Sequence, residues 1–408
     1  MTVSVRPLSS DQHREYIASR PSVSFLQVPE WGAVKSDWGS SSVGWFRGGE
    51  LVGAGLVLSR FIPRTRKWLA YLPEGPDLPW SDRPETVAEL LDPLLAHLRK
   101  SGAFLVKIGP SIPVRTWSAA TLKSHIGKPG VARLGDVPPD RTNTVGQQVA
   151  ADLQAQGWTR RPDTGAGFGD FQPRFVFQLP LRDADGSARS PENVFAGFNQ
   201  LWRRNIRRAE KSGVQVVESD RDGLLLFHPI YVETAARDGF VPRPLSYFQQ
   251  MWDALNQPES PAGMSLYLAQ WEDRVLAATT MITVGDHAWY SYGASANADR
   301  QVRPSNAVQW KMMCDALASG ATVYDLRGIT DTLDESDPHF GLTQFKLGTG
   351  GRAVEYVGEY DFALRPTIAR AFDAYLRRDQ IRARVRDRIG GPFGRSEPTT
   401  GAQPGVER

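Results

Sequence analysis

Lys346 stands beside Phe345 and just ahead of Gly348, Gly350 and Gly351, in the segment HFGLTQFKLGTGGRAVEYVGEYD. Glycines let a backbone approach a bound group closely. A lysine held in such a place could stabilise the oxyanion that develops during acyl transfer; the plain alternative is a solvated lysine beside a turn. Lysines are scarce, nine among 48 basic residues, so a well-placed one stands out from the arginine background expected of a GC-rich genome. Lys35, three residues after Gly32 in QVPEWGAVK, is a second such lysine and a candidate phosphate ligand. Arg243 and Tyr247 lie four apart in FVPRPLSYF near an expected helix start, where a guanidinium can grip a phosphate bidentately and a phenol can add a hydroxyl. Tyr290 and Tyr292 alternate along WYSYGAS, and strand alternation predicts that both face one side. Core packing is the competing reading for the tyrosines.

A helix expected over 190–213 carries Arg203, Arg204, Arg207, Arg208 and Lys211. Residues three and four apart share a helix face, so these five either contact a phosphate backbone such as that of tRNA or form a solvated face. A last amphipathic helix, 366–389, is Arg-rich and could lie on an anionic membrane surface or against RNA, or dock by its apolar side with arginines in water.

The elements that must position these residues come as a repeat. From Trp45 to Pro110 the chain reads hairpin, strand, amphipathic helix stopped by Gly102, and buried strand (AFLVKIGP). From Leu266 to Ile329 it reads the same way, with the helix stopped by Gly320 and a closing strand ATVYDLRGI. The pattern predicts an α+β fold of two acetyltransferase-like (GNAT) domains, mixed sheets flanked by helices with a cleft between them. The expected boundaries are 1–165 for the first domain and 166–357 for the second. A disordered tail is expected over 391–408.

Composition bounds the function classes. The chain has 408 residues, 41% hydrophobic and 23% charged, and a net charge of +3, too small to argue nucleic acid by itself. A single cysteine, Cys314, excludes an intramolecular disulfide and reads as core filler. The six histidines show no ligand spacing, so no metal is expected. No signal peptide and no run of about 18 apolar residues is found, so the expected compartment is the cytoplasm.

An acetyltransferase of this architecture holds the pyrophosphate of coenzyme A on a glycine-rich turn at the start of its central helix. Here those turns read LPWSDRPETV and ADRQVRPSNAV. Neither has glycine, and proline removes N–H donors. A different activated donor is therefore expected, with acyl-CoA N-acetyl transfer and non-catalytic RNA or membrane-surface binding as the alternatives.

Taken in order, QVPEWGAVK, RRNIRRAEKSGV, FVPRPLSYF, WYSYGAS, PSNAVQW, YDLRGI and FGLTQFKLGTGGRAVEYVGEYD resemble the Fem family of non-ribosomal peptidoglycan-bridge transferases, over about residues 20–365. The resemblance implies two GNAT-like domains, with the chain returning to the first over 358–390. It implies an aminoacyl-tRNA co-substrate, no cofactor, and transfer of Gly, Ala or Ser to the stem-peptide amine of UDP-MurNAc-pentapeptide or lipid II. By the same resemblance Lys346 and Phe345 steady the transition state and the tRNA acceptor end. Lys35, Arg243 and Tyr247 hold the precursor's diphosphate and sugar, and Tyr290 or Tyr292 walls that cleft. No heptad insertion lies between Lys211 and Leu266, which implies an armless form without a helical arm. Gly109, in VKIGP, stands where many relatives have an acidic residue, so a base role is not expected there. Contact with the inner membrane face is a further expectation.

Overall fold

The computed structural model describes residues 2–63, 65–81, 86–161 and 172–375. The glycine-rich stretch 163–170, part of the turn before the first central helix, the end of the basic helix and the tail 391–408 lie outside the described residues. Two mixed sheets form the frame. The first takes β1 (Val3–Leu8), β2 (Gly39–Arg47), β3 (Glu50–Phe61), β4 (Trp68–Leu72) and β5 (Ala103–Ile108) in chain order, then two late short strands. The second begins with β6 (Pro113–Ser118) and β7 (Arg141–Thr142) at one edge. β8 (Thr159–Arg160) ends the first sheet, while β9 (Phe175–Pro180) lies inside the second. β10 (Gln215–Ser219), β11 (Ala262–Trp271), β12 (Arg274–Val284), β13 (His287–Ser295) and β14 (Val323–Gly328) follow in spatial order, and β15 (Arg352–Tyr356) sits between β9 and β6. β16 (Tyr360–Phe362) returns to the first sheet between β5 and β8.

The repeat is visible in the pairing. β1–β2–β3–β4 and β10–β11–β12–β13 are antiparallel meanders, and each ends in a parallel partner, β5 or β14, reached through a helix. Those helices are Val87–Lys100 and Pro304–Ala318. Both stop at glycines in the left-handed region, Gly102 (φ +101°) and Gly320 (φ +83°), where a Cβ would be strained.

Two expectations about extent need correction. The helix over 190–213 is two helices, Pro191–Gly197 and Gln200–Lys211. Phe198 turns extended, and Asn199 starts a second helix by accepting from Trp202 N, a local cap that competes with continuation. The segment 350–364 also divides, into β15 and β16 on different sheets, broken at Gly358 (φ +86°). A cut at residue 165 does not follow sheet membership: β6 and β7 pair into the second sheet.

Among the described residues the longest helix between Lys211 and Leu266 is Leu224–Asp238. Residues 366–375 are helical, and Ala369 packs with Leu69, Phe104 and Leu105 of the first domain. Phe372 stacks edge-on against Phe104 at 5.2 Å. The beginning of the basic helix is thus docked by its apolar side. No described helix is long and apolar enough to cross a membrane.

Candidate functional site

β13 lines two cavities, one with His287 and Trp289 and the other with Tyr290, Gly293, Ala294 and Ser295. β13 pairs with β14 only from His287 to Trp289, and the strands then part. Into that gap opens a cavity of about 460 Å³ lined by Asn205, Arg237, Thr279, Tyr290, Arg303, Asn306 and Phe345 among others. The start of helix Pro304–Ala318 forms one wall, and no side chain caps it. Its counterpart in the first domain is closed: Glu89 and Thr86 make a reciprocal capping box at the start of Val87–Lys100. The two copies are therefore unequal, and the open helix start with its donors and arginines belongs to the second.

The other cavity, about 210 Å³, lies between the domains, with Ser24, Glu74, His287, Asp325, Arg327 and Tyr356 in its walls. Arg327 reaches across to Glu74 at 2.9 Å and donates to Gln172 at 3.1 Å. Its backbone is left-handed (φ +61°), an uncommon state for a residue with a side chain. Asp325 is buried, accepting from Arg327 N at 2.6 Å and Gln178 Nε2 at 3.1 Å. Burial pushes its carboxyl upward, but His287, Arg327 and Gln178 outweigh that and hold it below the usual range.

Lys346 is linked to both cavities through its neighbours: Phe345 lines the first, and Arg327, whose backbone it bonds, lines the second. It is on helix Phe340–Leu347, only 3% exposed, and donates to Gly328 O at 2.6 Å and Arg327 O at 3.4 Å. The solvated-lysine alternative is thereby excluded. Burial drives its ammonium down to about 7, against Asp325, which favours the charge, and with Arg327, which opposes it. Phe345 faces the first cavity and packs against Trp202 at 4.6 Å, whose indole donates to Phe345 O at 2.8 Å. Gly348 follows because a Cβ there would overlap the Trp202 ring. The arrangement puts a buried lysine next to residues that line each of the two cavities.

Lys35, Arg243, Tyr247 and Tyr292 come together elsewhere in the cleft, across the domain boundary. Lys35 ends the short helix Trp31–Val34, and helix Leu245–Leu255 packs on it through Gln250, which donates to Ala33 O at 2.6 Å. Lys35 Nζ is 5.5 Å and the Arg243 guanidinium 4.7 Å from the Tyr247 ring centre. Tyr292 and Tyr247 hydroxyls meet at 3.4 Å. Burial, then Arg243, depresses the Lys35 ammonium. Two cations sharing one aromatic base favour an anionic guest.

Tyr290 is not part of this cluster. β12 and β13 slip register at Thr280/Met281, so Tyr292 pairs with Thr280 and Tyr290 with Met281, leaving Ser291 as the extra residue. The bulge reverses the parity that alternation predicts. Tyr292 packs with Tyr231, Tyr247 and Phe248; Tyr290 lies on the opposite face, in the wall of the 460 Å³ cavity. The helix Gln200–Lys211 also lines that cavity through Asn205, which donates to Asn306 at 3.2 Å. Arg204, Arg207, Arg208 and Lys211 are exposed; Arg203 is half-buried and donates to Ala196 O.

Sequence reasoning missed Glu74, Asp325, Arg327, Tyr356, Asn205 and Asn306. A signal for two of them was present: YDLRGI reads as a buried strand yet carries two charges, which burial requires to be paired. Another missed group is Glu359, whose side chain fills the space beside Gly109. It accepts from Tyr71, and burial raises its carboxyl.

The sequence profile of the FemAB family matches residues 8–261 and 263–376. Lipid II:glycine glycyltransferase of Staphylococcus aureus strain MRSA252 is 24% identical over 427 residues, covering 88% of this chain and 93% of that one; the enzyme of strain NCTC 8325 aligns equally. The crystal structure of FemX superposes with a TM-score of 0.72 at 22% identity, covering 90% of this chain and 99% of FemX, and so shares the fold.

Proposed function

Since this chain belongs to the FemAB family, we propose that it transfers an amino acid to the stem-peptide amine of a peptidoglycan precursor, building the interpeptide bridge. The observation that carries the reading is Lys346, buried next to Phe345 of one cavity and bonded to the backbone of Arg327 in the wall of the other. The donor is an aminoacyl-tRNA carrying Gly, Ala or Ser, whose acceptor end enters the 460 Å³ cavity past Tyr290 and Phe345. Exposed Arg204, Arg207, Arg208 and Lys211 beside that cavity suit its phosphates. The acceptor is UDP-MurNAc-pentapeptide or lipid II, with its diphosphate on Lys35, Arg243, Tyr247 and Tyr292. The neutral amine attacks the ester carbonyl, and a C–N bond forms as a tetrahedral oxyanion develops. The protonated Lys346 supports that charge until the C–O bond to the tRNA ribose breaks, the amine proton passing to the leaving hydroxyl through substrate or water. Charged tRNA and both precursors are met on the cytoplasmic side, and a lipid-linked acceptor brings the enzyme to the inner membrane face.

Losing one oxyanion donor costs about 10²–10³ in rate. Single-turnover transfer by Lys346→Ala, with folding checked by circular dichroism, therefore drops by that factor. Near-normal transfer by the folded variant would remove Lys346 from the chemistry. The uncapped start of helix Pro304–Ala318 keeps acyl-CoA in view as a donor; calorimetry with acetyl-CoA decides, and heat of specific binding would favour it over tRNA.

A further inference from the structure

A third cavity, about 370 Å³, lies on the second sheet, and Arg141 and Arg352 line it together. Its walls also hold Thr116, Thr142, Asn143 and Gln178. Register brings them there: Arg141 pairs with Thr116, Thr116 with Val354, and Arg352 with Gln178, so one sheet face carries the set. Among the described residues neither arginine forms an ion pair or hydrogen bond with a carboxylate, and Arg352 Nε is buried with no partner. Besides burial, the titratable neighbours that bear on Arg352 are the Tyr356 phenol and then Arg141, the latter a cation of like sign. The nearest acid in sequence, Asp140, is occupied by Ser118 N and the Thr121 hydroxyl. The half-buried Arg352 guanidinium, with the exposed Arg141 beside the same cavity and no anion between them, favours a guest that supplies one.

The cavity adjoins the interdomain chamber. Gln178, in its wall, donates to Tyr356 at 2.9 Å and to Asp325 at 3.1 Å, both in the wall of the chamber. Asp325, Gln178 and Arg352 are successive partners across β14, β9 and β15, so their backbones span two strand spacings, about 10 Å. An extended peptide covers that in about three residues. We infer that Arg141 and Arg352 hold the C-terminal carboxylate of the acceptor's stem peptide while its amine lies in the interdomain chamber. This rests on the proposed transfer reaction. It makes the cavity a specificity site that measures the distance from the acceptor amine to the free end of the peptide.

The test is equilibrium binding to the full chain, read by calorimetry. The probes are an N-acetylated stem pentapeptide, the same peptide as its C-terminal amide, and inorganic phosphate. The inference expects the free acid to bind at least tenfold tighter than the amide. Arg352→Gln and Arg141→Gln each abolish that preference, and phosphate competes with the acid. Equal binding of acid and amide by the native chain, or no binding of either, overturns it. Phosphate binding at Arg352 without any preference for the acid overturns it too, and points to an RNA phosphate instead. The transfer reaction fails separately, as an absence of product from every charged tRNA; an acid-over-amide preference that survives such a result still establishes the carboxylate site.

Discussion

Replacing Lys346 with Met gives a prediction whose size follows chiefly from burial. The native ammonium titrates at about 7, against 10.5 when free in water. Between those values the unfolded chain holds a proton that the folded chain has released, so stability rises with pH. Below about 7 both states are protonated and the full cost of burying the charge is present, roughly 5 kcal/mol at 1.36 kcal/mol per unit. Above about 10.5 that cost is gone. From pH 7 to 9 the gain is about 2 kcal/mol, because the folded lysine is already half-discharged at the lower end. Met carries no proton and has no such slope. It leaves Gly328 O and Arg327 O without their donor, a penalty of about 1–3 kcal/mol that does not vary with pH. Urea unfolding of both proteins at pH 7, 8 and 9, followed by tryptophan fluorescence, should therefore show native stability rising against the variant by about 2 kcal/mol. Parallel curves would mean that Lys346 keeps its ordinary affinity for the proton, and the argument from its burial would be refuted.

Other outcomes follow from the same geometry. Arg327→Gln leaves the half-buried Glu74 without its cation and should destabilise by about 1–3 kcal/mol in urea titration; Glu74→Gln in the same background should restore part of that loss. Arg243→Gln and Lys35→Met should each raise KM for the precursor about tenfold to a hundredfold with a smaller effect on kcat, as expected when a charge-assisted hydrogen bond is removed. Replacing Arg204 and Arg208 together by Gln should lower tRNA affinity and flatten its logarithmic salt dependence by about 0.7–0.9 for each phosphate no longer neutralised; an unchanged slope in filter binding would place the tRNA elsewhere.

What could be read from the sequence was what local patterns encode. The two strand–helix–strand copies, their glycine stops at 102 and 320, and the rise of Lys346 above other basic residues depend on periodicity, turn chemistry and scarcity. The breaks came from single residues acting against a pattern. Asn199 caps a new helix where apolar spacing continues, Ser291 inserts into β13 and separates two tyrosines, and Gly358 redirects the chain between sheets. β6 and β7 join the second sheet through pairing with β15, a partner more than 200 residues away that no window contains. The cavity walls were the least legible part. Glu74 and Arg327 come from different domains, and Arg141 and Arg352 meet across two strand pairings.

The central claim is an aminoacyl transfer from tRNA to a cell-wall precursor. One incubation tests it directly: the purified chain with a mixture of charged tRNAs and acetyl-CoA, and either UDP-MurNAc-pentapeptide or lipid II, analysed by mass spectrometry. The predicted result is a precursor heavier by one glycine, alanine or serine residue, with no product when the tRNA is digested by ribonuclease beforehand. An acetylated precursor, or a precursor of unchanged mass with every charged tRNA, would contradict the account.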